Sequence, residues 1–160
     1  MGKKTSIIAD LGKLDRQDMK ILKILSKDGR LTVTKLAERV GLSKSPCQMR
    51  LKRLLTDGYI RGFRAVLDPA KLGVEQVAFI EVKLTDTTEP ALRAFNEAVR
   101  GVPEIEMCHM IAGAFDYLLK VRTKDMKNYR EVLGETVSSL PYVGSTSTHI
   151  SMESVKDSAY

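Results

Sequence analysis

The sequence predicts an α+β protein with a helical N-terminal domain and a C-terminal domain of alternating strands and helices. Apolar residues recur at the 3.6-residue spacing of helices up to Gly58 and at the two-residue spacing of strands after it. A turn-forming run, PAKLG, then marks a linker. We therefore divide the chain into a tail at 1–13, a helical domain at 14–60, a strand and linker at 61–73, and a second domain at 74–160.

Three helices are predicted in the first domain, each bounded by residues that favour helix ends. The first spans 14–27 with Asp15 as its N-cap, and Thr32 caps the second. The third starts at Ser43 and ends near Gly58. Each helix has one apolar face: Leu14, Ile21, Leu22 and Leu25 in the first, Leu36, Ala37 and Val40 in the second, and Cys47, Leu51 and Leu54 in the third.

Residues 31 to 57 have the pattern of a helix-turn-helix. This motif needs a small residue where its helices approach each other and a residue that tolerates positive φ in the turn, and Ala37 and Gly41 occupy these positions. The second helix of the motif then turns its apolar face inward. Its outer arc consists of Ser45, Gln48, Met49 and Lys52.

Charge is divided unevenly between the two halves of the chain. Residues 1–66 carry 16 Lys or Arg against 6 Asp or Glu, whereas residues 67–160 carry 10 against 14. Concentrated positive charge favours binding to a polyanion. We therefore expect the first half to bind double-stranded DNA, with the helix that begins at Ser43 in the major groove; a protein-docking trihelical module is the alternative.

The residue types on that helix divide into base readers and phosphate ligands. Gln48 can pair bidentately with adenine, Ser45 can bond to several bases, and Met49 can contact a thymine methyl group. Lysine and arginine side chains suit phosphates. The predicted DNA-binding residues are Ser43, Lys44, Ser45, Gln48, Met49, Arg50, Lys52 and Arg53.

The second half predicts a ferredoxin-like βαββαβ order. YIRGFRAVLD at 59–68 first gives a strand or short wing, which makes the preceding helix-turn-helix a winged type. Strands are then expected at 77–84, 105–111, 117–122 and 145–153, with a helix that begins at Pro90 after the first of them. A second helix, capped by Asp125, would bury Met126, Tyr129, Leu133 and Val137.

Three runs of the sequence together resemble the Lrp/AsnC (feast/famine) transcription regulators, and most closely their leucine-responsive branch. They are LDRQDMKILKILSKDGRLTVTKLAERVGLSKSPCQMRLKRLLTDGYIRGFRAVLDP, CHMIAGAFDYLLKVRT and MESVKD. The resemblance implies a DNA-binding domain, a RAM/ACT-like domain that binds a free amino acid, and homodimers that associate further, commonly into octamers. It thus implies a sequence-specific regulator whose assembly and operator affinity respond to an amino-acid effector.

The turn GAFDY at 113–117 is the candidate effector site. Backbone N–H groups from Ile111 to Gly113 could hold a carboxylate, and Asp116 could hold an ammonium group. The family places its effector near this turn, between dimers; the alternative is that the turn is only structural. The candidate effector residues are Met110, Ile111, Gly113, Ala114, Asp116, Tyr117, Thr146 and Thr148.

Other functions have weaker support in the sequence. His109 and His149 have no partnered nucleophile, so no catalytic residue is assigned, and His109 is expected to pack beside the core. A ferredoxin-like enzyme and an RNA-binding module, whose sheet aromatics stack on bases, remain alternatives. The acidic second half argues against RNA.

The remaining signals concern location and cofactors. Cys47 and Cys108 have no close Cys or His companion, so they are expected to be thiols rather than metal ligands, and neither a metal nor a cofactor is expected. No apolar run approaches the roughly 20 residues of a membrane helix, and residues 1–15 lack the pattern of a signal peptide. A cytoplasmic protein with no membrane partner is expected.

Overall fold

The computed structural model describes residues 14–156, which divide between Ala65 and Val66 into two compact units. The predicted tail at 1–13 lies outside the described residues. No described helix is long and apolar enough to cross a membrane.

The first unit contains the three predicted helices. They are α1 (Arg16–Leu25), α2 (Val33–Val40) and α3 (Lys44–Thr56). Helices α1 and α3 are slightly shorter than predicted, and α2 follows its predicted N-cap, Thr32. Their inward residues form one buried core of Ile21, Leu25, Leu36, Ala37, Val40, Cys47 and Leu54. The predicted apolar faces therefore meet, which confirms the helical reading of this half.

Side chains cap the N-termini of α1 and α2, as predicted. The Asp15 carboxylate accepts the backbone N–H groups of Gln17 at 2.8 Å and Asp18 at 2.9 Å. The Asp18 carboxylate accepts the N–H of Asp15 at 3.0 Å, so the two aspartates form a reciprocal capping box. The Thr32 hydroxyl accepts the N–H of Lys35 at 3.3 Å.

The strand predicted within 59–68 is not formed. Residues 61–68 are exposed and belong to no ladder among the described residues. An extended segment becomes a strand only when a neighbour pairs with its backbone, and alternation of side chains cannot supply that neighbour. The prediction of a strand here is therefore wrong for the chain as described.

The second unit is a four-stranded antiparallel sheet with helices. Its strands lie in the order β2-β3-β1-β4. This is the predicted ferredoxin-like arrangement. The elements are β1 (Gln76–Leu84), α4 (Glu89–Arg100), β2 (Ile105–Met110), β3 (Tyr117–Thr123), α5 (Met126–Glu131) and β4 (Val143–Ile150).

One face of the sheet packs on the helices. Alternate residues of β1 and β3 are buried there with Phe95, Val99, Tyr129 and Val137. The strand residues of this core face are Ala78, Ile80, Val82, Leu84, Tyr117, Leu119 and Val121.

The segment after α5 departs from the prediction. Its α-helix ends at Glu131, and a π-helix, Val132–Thr136, and a 3-10 turn, Val137–Ser139, follow. A π turn holds more residues than an α turn, so the buried positions shift from the expected 3.6 spacing. Val132 is accordingly buried more fully than Leu133. Met126, at the start of the α-helical part, is exposed, so the prediction that it is buried is wrong.

The opposite face of the sheet lies outside that core. Phe79, Glu81 and Leu118 are half-buried on it, and Ser147 and His149 are exposed. We call these five residues the open sheet face. His109 pairs with Leu118 and is exposed, so the expectation that it packs beside the core is wrong.

Candidate DNA-binding surface and effector site

The outer arc of α3 is exposed as a continuous surface. Gln48 and Lys52 are exposed, and 68% of Met49 is exposed. Ser43 occupies the N-cap position with extended φ and ψ, yet its side chain makes no capping hydrogen bond. Its hydroxyl thus remains available to a ligand. The predicted arc is present, but no ligand tests which of its residues touch DNA.

The inner face of α3 anchors this surface. Cys47 and Leu54 are fully buried, and Leu51 packs against the same core. Burial raises the pKa of the Cys47 thiol, because the thiolate would be poorly solvated there. A buried thiol of raised pKa is unreactive, which fits a packing role.

Two arginines predicted to contact phosphates have partners inside the protein. Arg50 Nη1 lies 2.9 Å from Asp18 Oδ1 and 2.5 Å from Asp15 Oδ2, and Arg53 Nη2 lies 2.5 Å from Asp18 Oδ2. The hydrogen bonds that Arg50 donates to the two carboxylates, first that to Asp18 and then that to Asp15, raise the pKa of Arg50. The structure therefore gives both arginines a role that the sequence analysis did not foresee.

Asp18, which binds both arginines, was given no role by the sequence analysis. Its side chain is 0% exposed. A signal was present, because position 18 falls four residues after Leu14 and three before Ile21, within the apolar stripe of α1. A carboxylate on an apolar stripe needs a buried cation as partner.

The backbone of the candidate effector turn leaves donors unused. The N–H of Ile111 donates to the Asp116 carbonyl at 2.8 Å, and the N–H of Asp116 donates to the Val82 carbonyl at 2.9 Å. Within residues 14–156, no hydrogen bond is made by the N–H groups of Ala112 and Gly113. Ala114 is exposed beside them. Ile111 thus holds the turn, while its two successors could take an anion.

Asp116 is tied to the end of β1. Its Oδ2 accepts the N–H of Leu84 at 2.7 Å, and its Oδ1 lies 3.4 Å from Lys83 Nζ. The side chain is 18% exposed. One carboxylate oxygen is therefore committed to the backbone, and the other faces an exposed ammonium group that a ligand could replace.

The other candidate effector residues are scattered. Met110 is exposed, but Tyr117 is 1% exposed and its ring lies 4.4 Å from that of Phe95. The side chain of Tyr117 is thus core, so a ligand at the turn can meet only its backbone. Burial raises the pKa of the Tyr117 hydroxyl.

Thr146 and Thr148 lie on the core face of β4, paired with Val82 and Ile80. The Thr148 hydroxyl lies 2.6 Å from the hydroxyl of Tyr129, and burial raises the pKa of that tyrosine. Strand β1 separates Thr146 from Tyr117, which is two strand spacings, or about 10 Å. The structure does not bring the threonines to the turn.

Family comparison decides what these two units are. The Lrp/AsnC ligand-binding domain matches residues 77–160, and a winged helix-turn-helix DNA-binding domain matches residues 14–61. The chain belongs to the Lrp/AsnC family. It is a DNA-binding regulator with a ligand-binding domain, as the resemblance implied.

Relatives of this Lrp/AsnC chain are transcription regulators. A proline dehydrogenase transcriptional activator from Rhizobium radiobacter is 65% identical over 90% of this chain and 92% of its own. The leucine-responsive regulatory protein of Escherichia coli K12 is 46% identical over 91% and 88%. The enzyme alternative is therefore wrong.

Solved structures agree with the fold of this Lrp/AsnC chain. A transcriptional regulator from Neisseria meningitidis, in complex with L-methionine, is 35% identical with a TM-score of 0.84, over 91% of this chain and 94% of its own. No group of three potential metal ligands occurs in the described part of this chain.

Proposed function

We propose that this regulator activates a proline dehydrogenase gene and that a free amino acid controls its assembly and operator affinity. The relative that is 65% identical carries the first part, because its name states that activity. The unused N–H groups beside Asp116 support the second. A cytoplasmic location is part of this proposal, because the proposed target is chromosomal DNA.

The DNA contacts of this proposal come from the N-terminal part and outer arc of α3. Gln48 reads a base, Ser45 and Met49 assist it, and Lys44 and Lys52 bind phosphates together with the free hydroxyl of Ser43. All six residues are exposed, which is what supports the assignment.

The base-reading role is tested with paired variants of the full chain. Gln48→Ala is expected to weaken binding to the operator by roughly 1 to 3 kcal/mol and to leave binding to random DNA nearly unchanged. Lys52→Ala, the matched control, is expected to weaken both. Equal losses on operator and random DNA for Gln48→Ala would contradict the role.

The proposed effector mode assigns each charged end of an amino acid to one part of the turn. The carboxylate accepts the N–H groups of Ala112 and Gly113, and the ammonium group takes the place of the Lys83 amine at Asp116 Oδ1. Proline is the first candidate ligand, because an activator of a catabolic gene is useful when the enzyme's substrate is present. Its secondary ammonium still has two N–H donors.

Calorimetric titration with the twenty amino acids tests this mode. We expect proline to bind and Asp116→Asn to abolish binding, since the amide keeps an acceptor for Leu84 but loses the charge. Asp125→Asn is the matched control, because Asp125 also accepts one backbone N–H, at 2.8 Å from Asn128. Unchanged amino-acid binding by Asp116→Asn would refute the mode. If methionine were the only amino acid to bind, it would replace proline as the proposed effector.

We also propose that the open sheet face forms the homodimer interface, from which octamers assemble. Phe79 and Leu118 place apolar surface there outside the core of the unit. Two-fold pairing then requires half-sites about one helical turn, roughly 34–36 Å, or a multiple apart. Light scattering of Leu118→Asp should show a smaller assembly, and Met126→Asp, which alters an exposed residue elsewhere, should not.

A further inference from the structure

A buried carboxylate on α1 binds two arginines of α3. Asp18 accepts Arg53 Nη2 at 2.5 Å and Arg50 Nη1 at 2.9 Å, and it also accepts the N–H of Asp15 at 3.0 Å. Its side chain is 0% exposed. Because all these donors converge on one carboxylate, the cap of α1 and the position of α3 depend on the same group.

Burial makes this arrangement hard to rearrange. A carboxylate removed from water requires compensating charge and hydrogen bonds, so release of either arginine to another anion would leave Asp18 undercompensated. Arg50 is bound most firmly, since Asp15 Oδ2 also contacts it at 2.5 Å and only 28% of its side chain is exposed. A DNA phosphate therefore competes poorly for Arg50.

The positions of the arginines on α3 agree with this. At about 100° per residue, Arg50 lies roughly 150° from the centre of the arc formed by Ser45, Gln48, Met49 and Lys52. Arg53 lies roughly 90° from that centre. Both arginines thus sit on the flank toward α1 rather than on the surface that enters the groove.

We propose that Asp18 is a specificity-determining residue of the DNA reader, because it withholds Arg50 and Arg53 from DNA phosphates while it fixes α3 on α1. Two of the four cationic side chains between Ser43 and Thr56 then bind a carboxylate of the protein instead of DNA phosphates. Phosphate contacts bind every sequence equally, so their number sets the non-specific affinity. With fewer phosphate contacts, base contacts contribute a larger share of the binding free energy.

The salt dependence of binding counts phosphate contacts and so tests the proposal. Each contact contributes about 0.9 to the slope of log affinity against log salt, which is about 3.5-fold in affinity over a fourfold change in salt. We would measure the full chain on random duplex DNA by fluorescence anisotropy. Arg50→Gln should leave the slope unchanged. A decrease of about 0.9 for this variant would overturn the proposal.

Asp18→Asn gives the opposite test. The freed arginines should steepen the slope by about 0.9 to 1.8 and raise affinity for random DNA. Asp28→Asn is the control for the change in net charge, because Asp28 is also in the first unit and accepts one N–H, from Arg30. An unchanged or shallower slope for a folded Asp18→Asn protein would also overturn the proposal.

Circular dichroism separates these outcomes from loss of fold. If Asp18→Asn does not fold, Arg50→Gln and Arg53→Gln decide the matter, because either variant leaves Asp18 one arginine. If Asp18 had a purely structural role, all three variants would be less stable, and none would show a steeper slope of log affinity against log salt. Lys52→Gln reports on the proposed arc and is independent of this result.

Discussion

Gly41→Ala perturbs the turn of the helix-turn-helix at one backbone position. Gly41 has φ 82° and ψ 41°, and its N–H donates to the carbonyls of Ala37 at 2.9 Å and Glu38 at 3.2 Å. A Cβ at this position would meet no atom within 4 Å. The cost therefore comes from left-handed backbone alone. A left-handed backbone costs an L-residue about 1–2 kcal/mol. Alanine also lowers the conformational entropy of the unfolded chain, which offsets about 0.4–1 kcal/mol of that cost. The expected net loss of stability is about 1 kcal/mol.

Cys47 provides the assay, since it is fully buried in the first unit and becomes reactive only when that unit opens. Thiol labelling along a denaturant series should show the first unit of Gly41→Ala opening with a free energy about 1 kcal/mol lower. A loss of this size lowers Tm by roughly 4–8 °C in a small domain.

Two results would refute this reasoning. A loss above about 3 kcal/mol would mean a steric clash, because backbone strain alone does not reach that value. No loss would mean that the turn relaxes out of the left-handed region. Gly41→Asn is the control and should cost less than Ala, because asparagine tolerates this region.

Two further predictions follow from single hydrogen-bonded groups. Tyr129→Phe removes the partner of the Thr148 hydroxyl at 2.6 Å and should lower the unfolding free energy by about 0.5–1.5 kcal/mol in denaturant titration; no change would mean that water replaces the bond. The backbone N–H of Asp18 and then the Arg50 guanidinium lower the pKa of Asp15 from its usual 3.8. Because the folded pKa is the lower one, this stabilisation is present above about pH 4 and is lost as the pH falls through the folded pKa. The stability difference between wild type and Asp15→Asn should therefore shrink in acid, and a constant difference would contradict it.

Strands and helices with one apolar face could be predicted from the sequence. Ala78, Ile80, Val82 and Leu84 alternate in the sequence and are all buried in β1. The spacing of apolar residues is enough to predict such elements, because an alternating strand can bury its apolar side in only one orientation. The same reasoning gave α1, α2 and α4 with small errors at their ends.

Features that depend on partners distant in sequence could not be predicted. The Asp18 network joins residues 32 and 35 positions apart, so no local pattern contains it. The extended run at 61–68 looks like a strand but has no ladder. In the candidate effector site, pattern placed Thr146 and Thr148 on one face, yet only the sheet order shows that β1 separates them from the turn.

The energies of the DNA reader explain why assembly matters for selectivity. One bidentate base contact discriminates by about 1–3 kcal/mol, whereas specific sites are bound about 4–10 kcal/mol more tightly than random DNA. If Gln48 is the single strong base reader, as proposed above, one copy of α3 falls short of that range, and two or more copies on spaced half-sites are needed to reach it. A coupling of about 1–3 kcal/mol between effector and assembly would then change selectivity as much as the loss of one base contact. An effector need not touch the DNA-binding unit to switch an operator, provided that it changes how many readers bind together.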